Sequence, residues 1–229
     1  MTHPRTVDVS AEPISPPAES TGGPRRRTAA DELFRAATLA LASLATVAAV
    51  ACTTDVDLGG GVRQRGDHLF ISEGPELEAL LGTHQAPQSL GDPWLVLAAE
   101  IRSSAGGGPV TVRRSDISVR TPDGRRLALV AQAEYAANYG RVRVAVERAL
   151  AALPTIGRFD TSQLPCDRWF LTDPFAGFAS DEVYLNTFQT CWGPLVFHDA
   201  GGIQPGRWRL VIELEESRVD IPFEVEAPG

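Results

Sequence analysis

Two stretches near the C-terminus, "RWRLVIELE" and "RVDIPFEVE", do most to fix the fold class. In the first, Trp208, Leu210, Ile212 and Leu214 alternate with Arg207, Arg209, Glu213 and Glu215. Successive side chains of a strand point to opposite faces, so this pattern buries one face of a strand and no face of a helix. The second stretch repeats it, with Val219, Ile221, Phe223 and Val225 on one side. Joined by "ESR", the two predict a terminal hairpin. Pro222 cannot donate to a ladder, which puts the last strand at an edge or at a bulge.

Other strands follow the same logic. "WLVLAAEI" (94–101) predicts a strand buried on both faces, and "DISVR-TPDG-RRLALV" predicts a hairpin turning at Pro122-Asp123-Gly124. "VYLNTF" (183–188) and "PLVFH" (194–198) add two more. Roughly seven short strands separated by turn signals predict a mainly β, antiparallel sandwich. One inserted amphipathic helix interrupts it at about 131–153. There Tyr135, Tyr139, Val142, Val146, Ala149 and Leu153 recur at three or four residues, while Arg141, Glu147 and Arg148 lie elsewhere around the helix. Gly140 weakens its middle and Pro154 marks its end. The stripe is expected to cover a sheet.

Charge narrows the function classes. The 229 residues carry a net charge of -8, which argues against a nucleic-acid partner. All 21 basic residues are arginine. A chain without lysine is not a Walker-type phosphate-loop NTPase, a Schiff-base enzyme or a serine–lysine hydrolase.

The N-terminal part reads differently. Residues 1–24, rich in Pro, Ser, Thr and Glu, lack the apolar surface to offset ordering entropy and are expected to be disordered. Residues 25–51 open with Arg25, Arg26 and Arg27 and continue into an apolar run, 36–51, shorter than the ~20 residues of a spanning helix. This is the layout of a secretory signal, with a signal-anchor helix as the alternative. Residues 52–66, polar and glycine-rich, read as a flexible tether to a domain at 67–229. Asp55 and Asp57 begin like a calcium loop, but the twelfth position is Gly66 and not Glu.

Ala49-Val50-Ala51-Cys52 resembles the lipobox of bacterial lipoproteins. The resemblance implies that Cys52 is lipidated and becomes the mature N-terminus. Cysteine parity agrees: Cys166 and Cys191 are expected to pair in an oxidising compartment, leaving Cys52 for the lipid. A second resemblance covers 94–130. "WLVLAAEIRSSAGGGPVTVRRSDISVRTPDGRRLAL" is similar to the first half of the immunoglobulin-like domains found in bacterial lipoproteins of unknown function. It implies an immunoglobulin-like sandwich and a cell-surface setting, and it carries no catalytic residues.

Eight of the sixteen aromatics lie between Cys166 and Cys191 or just after. Trp169, Phe170, Phe175, Phe178 and Trp192 are therefore the candidate binding surface, the alternative being that a disulfide-closed insert packs a small core of its own. No local metal motif, nucleophile elbow or cofactor fingerprint is present. His198 beside Asp199 has the residue types of a triad pair but no companion nucleophile motif. Arg113, Arg114, Arg125 and Arg126 flank one hairpin, whereas Glu213, Glu215, Glu216, Asp220, Glu224 and Glu226 crowd the other.

The sequence thus predicts a non-catalytic, cofactor-free, lipid-anchored protein of the cell envelope. Its folded domain is expected to lie outside the cytoplasm, held to the membrane by Cys52 or by an apolar helix at 36–51. Its expected role is protein–protein interaction or accessory membership of a membrane complex. The alternatives are a small-molecule or glycan binding module using 166–197, and a bitopic single-helix subunit.

Overall fold

The computed structural model describes residues 55–153, 164–166 and 168–227. The expectations for 1–51 and for Cys52 fall outside the described residues. What is described is mainly β, in antiparallel sheets with one long helix.

The strands are β1 (Asp55–Gly59), β2 (Val62–Arg65), β3 (Leu69–Glu73), β4 (Leu77–Gly82), β5 (Trp94–Ser103), β6 (Val110–Arg113), β7 (Ile117–Arg120) and β8 (Arg126–Ala128). After helix α1 (Gln132–Ala152) come β9 (Leu164–Pro165), β10 (Glu182–Leu185), β11 (Gln189–His198), β12 (Gly206–Glu213) and β13 (Arg218–Val225). The larger sheet has seven strands in the order β1-β2-β3-β4-β5-β11-β9, and the smaller has four in the order β13-β12-β7-β8. A two-stranded ribbon joins β6 and β10.

The alternating segments adopt the expected register. Trp208 faces Phe223, Leu210 faces Ile221 and Ile212 faces Val219 across β12 and β13, and all six are buried. Pro222 sits in β13, the edge strand. β7 and β8 pair around a turn in which Gly124, with φ +86°, takes a left-handed conformation that a Cβ disfavours.

β5 explains the position of the helix. It pairs with β4 through Gly82↔Ala98 and with β11 through Ala98↔Pro194, placing three small or flat residues in a row on one face. α1 packs on β5 and β11, with Tyr135, Val142, Val146 and Ala149 buried beneath it. A Cβ on Gly82 would come within 3.1 Å of the Leu153 side chain, so the small row is what lets the end of the helix approach. The opposite face of β5 carries Leu95, Leu97 and Ile101, all fully buried, and β13 packs against β3 and β4. One hydrophobic cluster runs through both sheets and the helix. Each fully buried Val, Leu, Ile or Phe in it contributes about 1.5–3 kcal/mol when removed from water.

The tether expected over 52–66 is corrected in part. Residues 55–59 and 62–65 form an edge hairpin continuous with β3. Gly59, Gly60 and Gly61 all have positive φ, so the glycines make a reverse turn and do not loosen the chain. Asp57 Oδ1 accepts the Gly59 amide at 2.8 Å. Asp55 receives Arg65 Nε at 2.8 Å and Nη2 at 3.0 Å, and Arg63 donates to Glu73 at 2.6 Å. The strands are held by ladders and ion pairs, and the alternation of Val56 and Leu58 with Asp55 and Asp57 leaves both apolar side chains exposed.

Candidate functional site

The aromatic-rich segment is rooted at three points. Cys166 and Cys191 form a disulfide with their Cα atoms 4.8 Å apart, and β9 pairs in parallel with the start of β11 beside it. Trp169 lies over the free edge of β11, donating from Nε1 to the Pro194 carbonyl at 2.9 Å. Gly193 makes this possible, because a Cβ there would fall inside the indole's van der Waals shell. At the third point Gln132 clamps Thr172: its Nε2 donates to the Thr172 carbonyl at 2.8 Å and its Oε1 accepts the Thr172 amide at 3.1 Å.

Beyond these roots the loop is shaped by Asp173. Its Oδ1 accepts the Phe175 amide at 2.8 Å, and its Oδ2 accepts the Tyr139 hydroxyl at 2.9 Å. Phe175 and Phe178 consequently stand in solvent, 89% and 90% exposed. Phe188, 73% exposed, projects from a turn in which Asn186 Oδ1 accepts its amide, and Trp192 on β11 is 47% exposed.

The five residues of the expected surface therefore divide. Phe175, Phe178 and Trp192 face outward, whereas Trp169 and Phe170 are buried in the core. The correction for those two follows from position. They precede the Gln132 clamp, where the chain still lies against β11, and the others follow it or lie on the strand's open face. Tyr139, read from sequence as part of the helix stripe, also belongs to the site. Its ring lies 6.3 Å from Phe175 edge to face, and a tyrosine in an apolar stripe signals this role only through its need for a hydroxyl partner.

Behind Trp192 lies a cleft of about 360 Å³ lined by Tyr135, Tyr139, Glu147, Asp173, Trp192 and Pro194 among others. Burial, followed by the neighbouring Tyr139, Asp173 and Glu147, drives the Tyr135 phenol well above its usual pKa, and Tyr139 is raised too. Glu100, the cross-strand neighbour of Trp192, is half-buried, and that burial raises its pKa against the pull of Arg102.

His198 and Asp199 diverge. His198 stacks on Trp94 at 4.4 Å and its Nδ1 lies 3.4 Å from Glu134, while Asp199 is 3% exposed and bound by Arg125. The arginine clusters are also taken up locally: Arg113 pairs with Glu182, Arg114 with Asp181 and Arg209 with Asp220. A second cleft, about 910 Å³, lies beside His68 and His84, whose rings meet edge to face at 5.3 Å. Burial, then His84, lowers the His68 pKa, with Asp67 opposing. Among the described residues no group of three or more His, Cys, Asp or Glu could hold a metal ion, and no helix is long and apolar enough to cross a membrane.

No family model, characterised protein or solved structure matches the chain.

Proposed function

We propose that this is a non-catalytic, membrane-anchored protein of the cell envelope. Its immunoglobulin-like sandwich, outside the cytoplasm, docks an envelope protein through the aromatic face of the disulfide-rooted segment. The observation that carries the reading is the exposure of Phe175, Phe178, Phe188 and Trp192 on loops whose backbones are already hydrogen-bonded. Large aromatic side chains left this exposed carry much of their apolar area into water, and aromatic anchors dominate interface energetics. A preorganised loop loses less entropy on binding than a floppy one. The Cys166–Cys191 bridge supports an oxidising compartment. The sandwich reading is supported by two antiparallel sheets sharing one core, and the anchor is Cys52 or the run at 36–51. Both lie with the resemblances already described.

The test is chemical crosslinking in the native membrane. The parent chain should capture a discrete envelope protein, and Phe175→Ser combined with Phe178→Ser should lose it while melting at the parent temperature. Capture that survives the double substitution would sink the reading. A second reading, small-molecule binding, is favoured by the cleft behind Trp192.

A further inference from the structure

We propose that the cleft behind Trp192 is a site for a quaternary or alkylated ammonium group. Its lining includes the aromatic residues Tyr135, Tyr139 and Trp192 and two carboxylates, Glu147 and Asp173. This goes beyond the docking reading and deepens only the small-molecule alternative. Aromatic faces carry negative potential and attract cations, most strongly where water is thinned out. A hydrated point charge such as sodium gains little there, because it would have to shed water onto apolar ring faces. A cation dressed in methyl or methylene groups gains twice, from the rings and from apolar burial.

Two features of the lining residues point the same way. The carboxylates are only partly balanced: Arg143 lies 3.5 Å from Glu147 on the solvent side, and Asp173 is held by the neutral Tyr139 hydroxyl. Both tyrosines have pKa values raised first by burial, with the carboxylates of Asp173 and Glu147 adding to the rise.

The deciding experiment is a calorimetric titration of the disulfide-intact full chain at constant ionic strength. The two probes are choline and its uncharged carbon isostere, 3,3-dimethyl-1-butanol. Choline should bind saturably and about tenfold or more tightly than the isostere. Glu147→Gln and Asp173→Asn should each weaken choline severalfold without moving the isostere, since Asn keeps the Oδ1 that orders the loop. Phe178→Ser, outside the lining, should leave choline binding intact even where it breaks docking. A dissolved short-chain phosphatidylcholine, compared with free choline, separates a lipid headgroup from a free metabolite as the source of the ammonium. Equal binding of choline and isostere, or no saturable binding of choline, overturns the proposal.

Discussion

Arg125 grips Asp199 with both guanidinium arms, Nη1 to Oδ1 at 3.0 Å and Nη2 to Oδ2 at 2.8 Å. The pair ties the turn of the β7–β8 hairpin to the loop after β11, across 74 positions of sequence. The Gly201 amide adds a third donor at 3.0 Å. Arginine supplies this paired recognition where lysine cannot.

The bridge makes a pH prediction. The Arg125 hydrogen bonds, opposed by burial and aided by the Gly201 amide, hold the Asp199 carboxyl below its ordinary pKa. Its stabilisation is therefore complete above the unfolded value of about 3.9 and fades as pH falls through the lower folded value. Asp199→Asn is expected to melt several degrees below the parent at neutral pH, with the gap narrowing below about pH 4. Melting curves across that range decide it; a gap that stays constant into acid would show that the carboxylate's charge is not what stabilises.

Gly193 is the contact surface for Trp169, and an added methyl has nowhere to go. Gly193→Ala should destabilise by about 1–3 kcal/mol, the usual cost of overpacking. Urea denaturation measures the loss, and near-ultraviolet circular dichroism should report a displaced indole. Parent-like stability would mean the ring does not rest there.

Gly140 predicts the opposite sign. It lies exposed in the middle of α1, and a Cβ there meets nothing within 4 Å. Gly140→Ala should stabilise by about 0.5–1 kcal/mol, by reducing the freedom of the unfolded chain and improving helix propensity. A neutral or negative shift in the urea midpoint would point to a role for the glycine that packing does not show.

Removing the disulfide should cost about 3 kcal/mol, the chain-entropy value for a closed loop of this size, here a separation of 25 residues. Cys166→Ser with Cys191→Ser is the test, compared with the parent under oxidising and reducing conditions. The double variant should match the reduced parent; if the oxidised parent is no more stable than either, the bridge contributes nothing to folding.

Much of the framework was legible from local chemistry. The pairing of β12 with β13, the turn at Pro122-Asp123-Gly124 and the span of α1 all follow from periods and turn residues. The β1–β2 hairpin was not legible, because its strands are short and largely exposed and its glycines read equally as linker or turn. Nor was the division of the aromatics. Trp169 and Phe175 are the same class of residue six positions apart, yet one is buried and the other stands in solvent.

What the sequence determined by itself is whatever depends on near neighbours: which segments are strands, which face of each is apolar, where α1 lies, and which two cysteines share the folded part. Periodicity reports burial on one face without saying against what. The tertiary structure alone decided that β11 runs beside β5 with an open edge for Trp169, that Arg125 meets Asp199, and that Tyr139, Asp173 and Trp192 line one cleft. Those meetings join residues tens of positions apart, and their geometry is set by strand order and register, which no local pattern encodes.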